Sequence, residues 1–345
     1  MRKTQKLLHK VADLKIFSPF KAVFETIDGI VYGTPHVTPG APHFLDHIEI
    51  KRFMIFAVAA LIPTTVAAVY FFGLHVLWMI ITSYVVGGIV EVSFALIRKR
   101  EIEEGFLVTG LIFPLILPPT LPLWAVAIGS FFGIMFGKEI FGGTGRNIFN
   151  PALVGRLFIT MAFPEIMSAR WIAPFTDTLT SATPLTVFNG EGTITSLREL
   201  LFGIGLQTGA GSMGEVFRIG IIAGGLFLIL AKVTDWKIPT FYLGSVALFS
   251  WILNMVSPQV APPAFQLLSG GLLFGAFFMA TDPVTTPYTK MGKVIFGVGA
   301  GILTVLIRGF AGYAEGVMFS IILMNGMTPL IDHMVMENKY RKSTI

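Results

Sequence analysis

Apolar runs close to the length of a bilayer crossing recur along this chain, and they leave it few folds. About 20 apolar residues make a helix long enough to cross roughly 30 Å of hydrocarbon. Within lipid every backbone N–H and C=O must find its partner inside the protein, so such runs are read as helices. Composition agrees. Of 345 residues, 54% are hydrophobic and only 13% charged, whereas a soluble domain carries about 25% charged residues. The 37 glycines and 20 prolines fit the same class, because neighbouring helices re-satisfy backbone groups that these residues free. The expected fold is therefore an all-α polytopic membrane protein.

Ten membrane segments are expected, near 53–72, 76–97, 106–118, 122–137, 151–164, 215–231, 238–256, 264–280, 294–308 and 315–333. The third, fifth and eighth are short; the third ends at Pro118-Pro119 and the eighth at Asp282-Pro283. A weak internal repeat accompanies them. Leu107-Val-Thr-Gly110 leads to Pro118-Pro-Thr, a glycine-rich helix and Gly142-Gly143. Leu272-Leu-Phe-Gly275 leads to Asp282-Pro-Val-Thr-Thr, a glycine-rich helix, Gly309 and Gly312. Five spans per half, about 51–164 and 215–335, would give the halves opposite orientations, an inverted 5+5 repeat of the kind that places a site between paired broken helices. Residues 1–50 form an N-terminal extension, and 165–214 the one long polar interval.

Basic residues suggest the orientation. With the N-terminus cytoplasmic, the loops on that side hold Arg98, Lys99 and Arg100; Lys138 and Arg146; Lys232 and Lys237; and Lys290 and Lys293, and the C-terminal tail adds Lys339, Arg341 and Lys342. The short loops opposite hold only Arg308, at a helix edge. Both termini are then cytoplasmic, and the loop 165–214 lies outside. This distribution also assigns the net charge of +5 to orientation and gives no reason to expect a nucleic-acid partner. With no cysteine the chain has no thiolate for an iron–sulfur cluster and no disulfide. Its histidines (His9, His36, His43, His47, His75, His333) show no ligand spacing, so no metal site is expected. The basic N-terminus is interrupted by polar and aromatic residues for about fifty positions and is not a signal peptide.

Several residues could carry chemistry. Glu91, inside the second span, is costly to bury and should face a polar cavity or a partner; an ion path is the favoured reading, and a structural pair with a basic side chain of a neighbouring helix the alternative. Asp282 and Asp332, at helix ends, read as caps or solvated groups. Gly87-Gly88 allows close approach by a helix or a flat ring, with helix packing favoured by the spacing. Phe141-Gly-Gly-Thr-Gly-Arg-Asn147-Ile-Phe-Asn150-Pro-Ala-Leu mixes glycines with two amides able to read a heterocycle edge. It lacks the Gly-Lys-Ser/Thr of a phosphate loop, and Asn150-Pro151 also reads as the N-cap and first residue of a helix. In Asp177-Thr-Leu-Thr-Ser-Ala-Thr183-Pro-Leu-Thr186, small neighbours leave the Thr183 hydroxyl open and Pro184 holds Thr183 extended. On its residues alone this is a solvated, hydroxyl-rich loop.

These motifs together resemble the flavin-bearing membrane subunit of redox-driven sodium pumps, the NqrB/RnfD family, whose members serve the sodium-translocating NADH:quinone reductase (Nqr) and the Rnf complex. The resemblance runs from about Asp46 to the C-terminus. It rests on Glu49-Ile-Lys-Arg-Phe-Met-Ile, Glu104-Gly-Phe-Leu-Val-Thr, Pro118-Pro-Thr-Leu-Pro-Leu-Trp, Phe141-Gly-Gly-Thr-Gly-Arg-Asn, Phe278-Met-Ala-Thr-Asp-Pro-Val, Tyr313-Ala-Glu-Gly and Pro329-Leu-Ile-Asp-His. It implies FMN joined through its phosphate to a threonine of a Ser/Thr-Gly-Ala-Thr motif, here Thr180-Ser181-Ala182-Thr183, with Ser181 in the glycine position and Thr183 as acceptor. It further implies non-covalent riboflavin near Asn147 and Asn150, a quinone region at Gly87 and Gly88, and a sodium-linked acid at Glu91.

The implied setting is the bacterial inner membrane, with the other members of the Nqr or Rnf complex as partners, among them an extracytoplasmic FMN subunit. A flavin transferase would mature the protein, and Na+ and quinone would be the ion and the electron acceptor. The implied activity is that of an ion-translocating oxidoreductase subunit relaying electrons from a partner flavoprotein, with no catalytic acid, base or nucleophile of its own. The basic and aromatic N-terminal extension, the Gly-Thr-Gly-Arg-Asn form and Glu104-Gly-Phe-Leu-Val-Thr lean towards the quinone reductase, which is the expected branch; the short first loop and compact length lean towards Rnf, the ferredoxin:NAD+ oxidoreductase, which is the alternative. A cofactor-free channel or transporter of inverted-repeat type, and a scaffold subunit, are the rival classes by physics alone.

Overall fold

The computed structural model describes residues 50–99, 105–175, 182–191, 196–203, 211–311, 313 and 315–343. The N-terminal extension before residue 50, with four of the six histidines, and Thr180 and Ser181 of the threonine motif lie outside these residues. Every regular element among the described residues is helical. The first half comprises α1 (Ile50–Phe72), α2 (His75–Arg98), α3 (Gly105–Leu115), α4 (Leu123–Ile134), which continues as a π-helix π1 (Met135–Glu139), and α5 (Pro151–Ala162). Three short helices follow, α6 (Pro164–Ser168), α7 (Pro184–Glu191) and α8 (Leu197–Phe202). The second half comprises α9 (Arg218–Leu230), α10 (Lys237–Val256), α11 (Pro263–Leu268), α12 (Leu272–Phe274) continuing as π2 (Gly275–Met279), α13 (Lys290–Phe310) and α14 (Val317–Ser343).

Five helices are long and apolar enough to cross a membrane: Phe53–Phe72 of α1, α2, α10, α13 and Val317–Arg341 of α14. The chain is a multi-pass membrane protein. The remaining expected spans are shorter or broken. Helices α3, α5 and α9 have 11, 12 and 13 residues, about 16–20 Å of rise. The expected eighth span is divided at Ser269-Gly270-Gly271, where Gly270 takes φ +63°, a conformation open to glycine. Length and composition alone thus support five crossings; the count of ten and the 5+5 pairing rest on these shorter pieces. The last helix also runs ten residues past its expected end at 333, to Ser343.

Backbone that leaves a helix at membrane depth must be satisfied by protein. At the end of α3, Gly214 N donates to Leu115 O (2.7 Å) and Met213 N to Leu117 O (3.3 Å). A Cβ on Gly214 would lie 3.0 Å from both Leu115 Cβ and the Phe274 ring. The segment before α9 is therefore inserted between the end of α3 and α12.

Glycine sets the helix crossings. A Cβ at Gly133 of α4 would lie 2.6 Å from Pro151 O and 2.9 Å from Gly155 Cα, and one at Gly155 would lie 2.6 Å from Gly129 O. These are backbone contacts, which cannot rotate away, so α4 and α5 pack through small residues as membrane helices do. Gly155→Val should force the pair apart, abolishing the monodisperse peak of detergent-solubilised protein in size-exclusion chromatography. A wild-type elution profile and melting temperature would refute this account of the crossing. A buried hydroxyl cluster ties the second half: Tyr242 OH lies 2.8 Å from Thr304 Oγ1 and 3.0 Å from Ser320 Oγ, joining α10, α13 and α14.

Candidate functional site

Two recesses lie towards opposite ends of α5. The first adjoins the α5 N-terminus. It is lined by Thr109, Lys138, Asn147, Asn150, Thr281 and Asp282, among others, and holds about 70 Å³. The second adjoins the other end. Its lining includes Arg156, Trp171, Thr183, Glu215, Tyr313 and Glu315, and it holds about 500 Å³.

Both asparagines face the first recess. Asn150 is the N-cap of α5, its side chain accepting from Ala152 N at 3.0 Å, with Pro151 at the first helical position. Asn147 donates through Nδ2 to Phe149 O at 3.1 Å. Each amide thus has one end committed to local backbone. Asp282 accepts from Val284 N and the Thr285 hydroxyl, each at 3.2 Å. Asp332 accepts from Tyr288 N (3.0 Å), Thr289 N (3.1 Å) and the Thr289 hydroxyl (2.6 Å). It therefore fastens α14 to the turn that starts α13, a capping role directed at another helix. Nearby, Asp235 is held below the usual carboxylate range. Burial pushes it up, but the backbone N–H of Lys237 and the ammonium groups of Lys293 (3.0 Å) and Lys237 (3.2 Å) outweigh that.

Glu91 is 4% exposed and pairs with Lys138 of π1. Lys138 lies 4.0 Å from Glu139, which pairs with Arg98 at 3.1 Å. The geometry is that of the structural pair with a neighbouring helix. Lys138, counted in the sequence as a loop residue that orients the chain, is 2% exposed. It is buried because the π-helix prolongs α4 past the expected end at 137 and carries this side chain towards α2. Gly87 and Gly88 separate in role. Gly87 is buried, and a Cβ there would collide with Ile134 of α4; around Gly88 nothing lies within 4 Å. Packing explains Gly87 and leaves Gly88 with open space.

Thr183 is not simply a solvated threonine. Its Oγ1 accepts from Thr186 N (3.2 Å) and lies 2.7 Å from Thr186 Oγ1, its carbonyl accepts from Val187 N (2.9 Å), and Pro184 follows. It is the N-cap of α7, half-buried on the wall of the second recess. The local signal was the Thr-Pro pair with a donor three residues on.

Beside this recess lies a buried ionic network that sequence reasoning missed. Arg308, assigned to a helix edge, is 2% exposed. It donates to Gln266 O (2.8 Å), Gln266 Oε1 (3.0 Å), Ser269 O (3.1 Å) and Glu315 Oε1 (3.2 Å). Arg218 donates to Leu268 O and Leu200 O. Two arginines thus satisfy the last carbonyls of α11, while Glu315 Oε2 accepts from Gly271 N at 3.1 Å, before α12. That is how the broken helix is held. Arg156 completes the group, 3.9 Å from Glu315. The available signal was a charge inside each apolar run, since such residues are rarely without a partner or a use. Among the described residues no group of three or more His, Asp or Glu is placed to hold a metal ion.

Residues 37–341 match the model of the NQR2, RnfD, RnfE family. The chain belongs to this family. The D subunit of the proton-translocating ferredoxin:NAD+ oxidoreductase complex of Clostridium ljungdahlii is 39% identical over 313 aligned positions, which cover 87% of this chain and 94% of that protein. The B subunits of the Na+-translocating NADH-quinone reductases of Ectopseudomonas mendocina and Yersinia pestis are each 34% identical, covering 94% and 93% of this chain and 94% and 92% of their own lengths. The alignment with the E. mendocina protein has 379 positions against a chain of 345 residues. That relative of the NQR2, RnfD, RnfE family therefore carries segments this chain lacks.

Proposed function

We propose that this chain is the flavin-carrying membrane subunit of a redox-driven, ion-translocating complex, with FMN esterified through its phosphate to the Thr183 hydroxyl. The observation that carries the reading is the placement of Thr183, half-buried at the N-cap of α7 on the wall of a recess of about 500 Å³. Ligand pockets ordinarily measure about 300–1,000 Å³. A helix N-terminus suits a phosphate, because free N–H groups and the helix dipole both favour an anion. The Thr186 N–H, which donates to Thr183 Oγ1, would be the group that holds the phosphate. Arg156, 5% exposed with an Nε that has no hydrogen-bond partner, supplies a buried donor to the same recess. When bound, FMN supplies one-electron chemistry; the protein supplies position, charge and exclusion of water.

Family membership supports the rest of the assignment. Electrons come from a partner flavoprotein and leave to quinone, coupled to Na+ transfer past the Glu91–Lys138 pair, with Gly88 as the open position of the quinone region. The protein sits in the bacterial inner membrane with both termini cytoplasmic and the Thr183 loop outside. A flavin transferase matures it. The second, non-covalent flavin expected at Asn147 and Asn150 needs more than the present 70 Å³, so no step is assigned to it. The 39% identity to the Clostridium ljungdahlii ferredoxin:NAD+ oxidoreductase protein favours a second reading, in which the complex is of the Rnf type; the proteins that co-purify distinguish the two.

Thr183→Asn is the decisive variant. Asparagine keeps the N-cap, so it avoids the loss of about 1 kcal/mol that alanine brings, but it offers no hydroxyl to esterify. From cells containing the flavin transferase, the denatured wild-type band should fluoresce under ultraviolet light and the Thr183→Asn band should be dark at equal yield. A dark wild-type band would sink covalent attachment and leave a channel or scaffold.

A further inference from the structure

We infer that Arg156 is a positioning residue for the flavin ring, aiming its guanidinium at the ring edge that gains negative charge on reduction; the inference rests on the covalent-flavin reading above. Arg156 projects from α5 and is 5% exposed. A buried donor left unpaired costs about 1–3 kcal/mol, so an orphan of this kind in a native fold calls for an explanation. Glu315 does not provide one. It stands 3.9 Å away, beyond hydrogen-bond reach, and is already engaged by Arg308 and Gly271 N. The two neighbouring arginines differ. Arg218 is committed to backbone carbonyls. Arg308 also has a free Nε, but its terminal nitrogens make four bonds and it does not line this recess. Arg156 is the buried arginine on the recess wall, with donor capacity unspent.

The rest of the recess fits a flat ring rather than a second phosphate. Trp171, Tyr313 and Phe319 contribute aromatic faces, and the Tyr313 and Phe319 rings are 4.9 Å apart. The phosphate is accounted for at the start of α7. What remains for a fixed, planar, permanently charged donor is the pyrimidine edge of the ring, N1 and the C2 carbonyl, where the added electrons concentrate charge. A guanidinium can bind such an edge through two parallel N–H groups. Charge near N1 is a recognised lever on flavin potential. Arg156 therefore stabilises the reduced form relative to the oxidised form, and the carboxylates of Glu315 and Glu215, which line the same recess, limit the effect.

The test is potentiometric and does not depend on turnover. The flavin absorbance of purified wild-type protein, Arg156→Gln and Arg156→Lys is titrated against redox mediators, and each denatured band is viewed under ultraviolet light. All three bands should fluoresce equally. The Arg156→Gln midpoint should move to lower potential, corresponding to about a ten- to hundredfold shift of the reduction equilibrium towards oxidised flavin, the size of one lost hydrogen bond to a charged group. Arg156→Lys, which keeps charge without the fork, should shift less in the same direction. Should Arg156→Gln fail to fold, Arg156→Lys decides by the same criterion. Fluorescent bands with unchanged midpoints overturn the inference and leave covalent attachment standing. A dark Arg156→Gln band beside a fluorescent wild type also overturns it, by assigning Arg156 to the phosphate. A dark wild-type band removes both.

Discussion

Lys138→Met should destabilise the protein by about 3–5 kcal/mol, the loss that follows when one partner of a buried ion pair is removed and the other is left charged. Lys138 and Glu91 are 2% and 4% exposed, too deep for water to replace the missing ammonium. The effect should not stay at one residue. Lys138 also stands 4.0 Å from Glu139, which holds Arg98 at 3.1 Å, so the loss reaches the neighbouring pair. The double variant Glu91→Gln/Lys138→Met removes both charges of the primary pair and should recover most of the loss, because replacing a whole buried pair with neutral groups is close to neutral. The measurement is thermal unfolding in detergent, followed by intrinsic tryptophan fluorescence. A single variant as stable as wild type, or a double variant whose loss equals the sum of the singles, would show that the pair does not hold α2 to π1.

Arg308→Met should be as damaging at the other end of the molecule. It strands Gln266 O, Ser269 O and one oxygen of Glu315, all of which receive hydrogen bonds of 2.8–3.2 Å from this one side chain. At about 1–3 kcal/mol for each buried acceptor left unmade, the combined loss should reach about 3 kcal/mol or more, and the broken helix α11–α12 loses its brace. Arg308→Lys should fall between the two, since one ammonium cannot reproduce the planar fork. Yield and size-exclusion profile report the effect. An Arg308→Met protein that elutes and melts like wild type would mean that the carbonyls of α11 find other donors.

These two side chains also show where sequence reading stopped. The five long apolar helices were legible because a membrane crossing is a local property of about 20 consecutive residues. Asn150 was legible as an N-cap because the cap and the proline after it are adjacent. The third span was expected to end at Pro118-Pro119, but α3 stops at Leu115, one residue after Pro114. Lys138 was not legible, because its partner Glu91 lies 47 positions away, and a basic residue near a helix end reads as an orientation signal until a π-helix is seen to carry it inward. Arg308 failed similarly: the carbonyls it satisfies exist only because the chain breaks at Gly270-Gly271, and they lie 39–42 residues earlier. Thr183 was picked out by its motif, yet its capping bond to Thr186 was within local reach and passed over. Local chemistry could be read, whereas the pairing of distant charges needed the fold.

The two recesses bear on voltage. Pro151 lines one and Arg156 the other, and the helix rise between them is about 8 Å, against roughly 30 Å for a hydrocarbon core. Where wet recesses enter from both faces, the transmembrane potential falls mainly across the thin septum between them. A unit charge crossing a full 100 mV exchanges about 2.3 kcal/mol with the field. With wet recesses on opposite faces, a displacement of only a few ångströms near the middle of α5 would tap most of that energy.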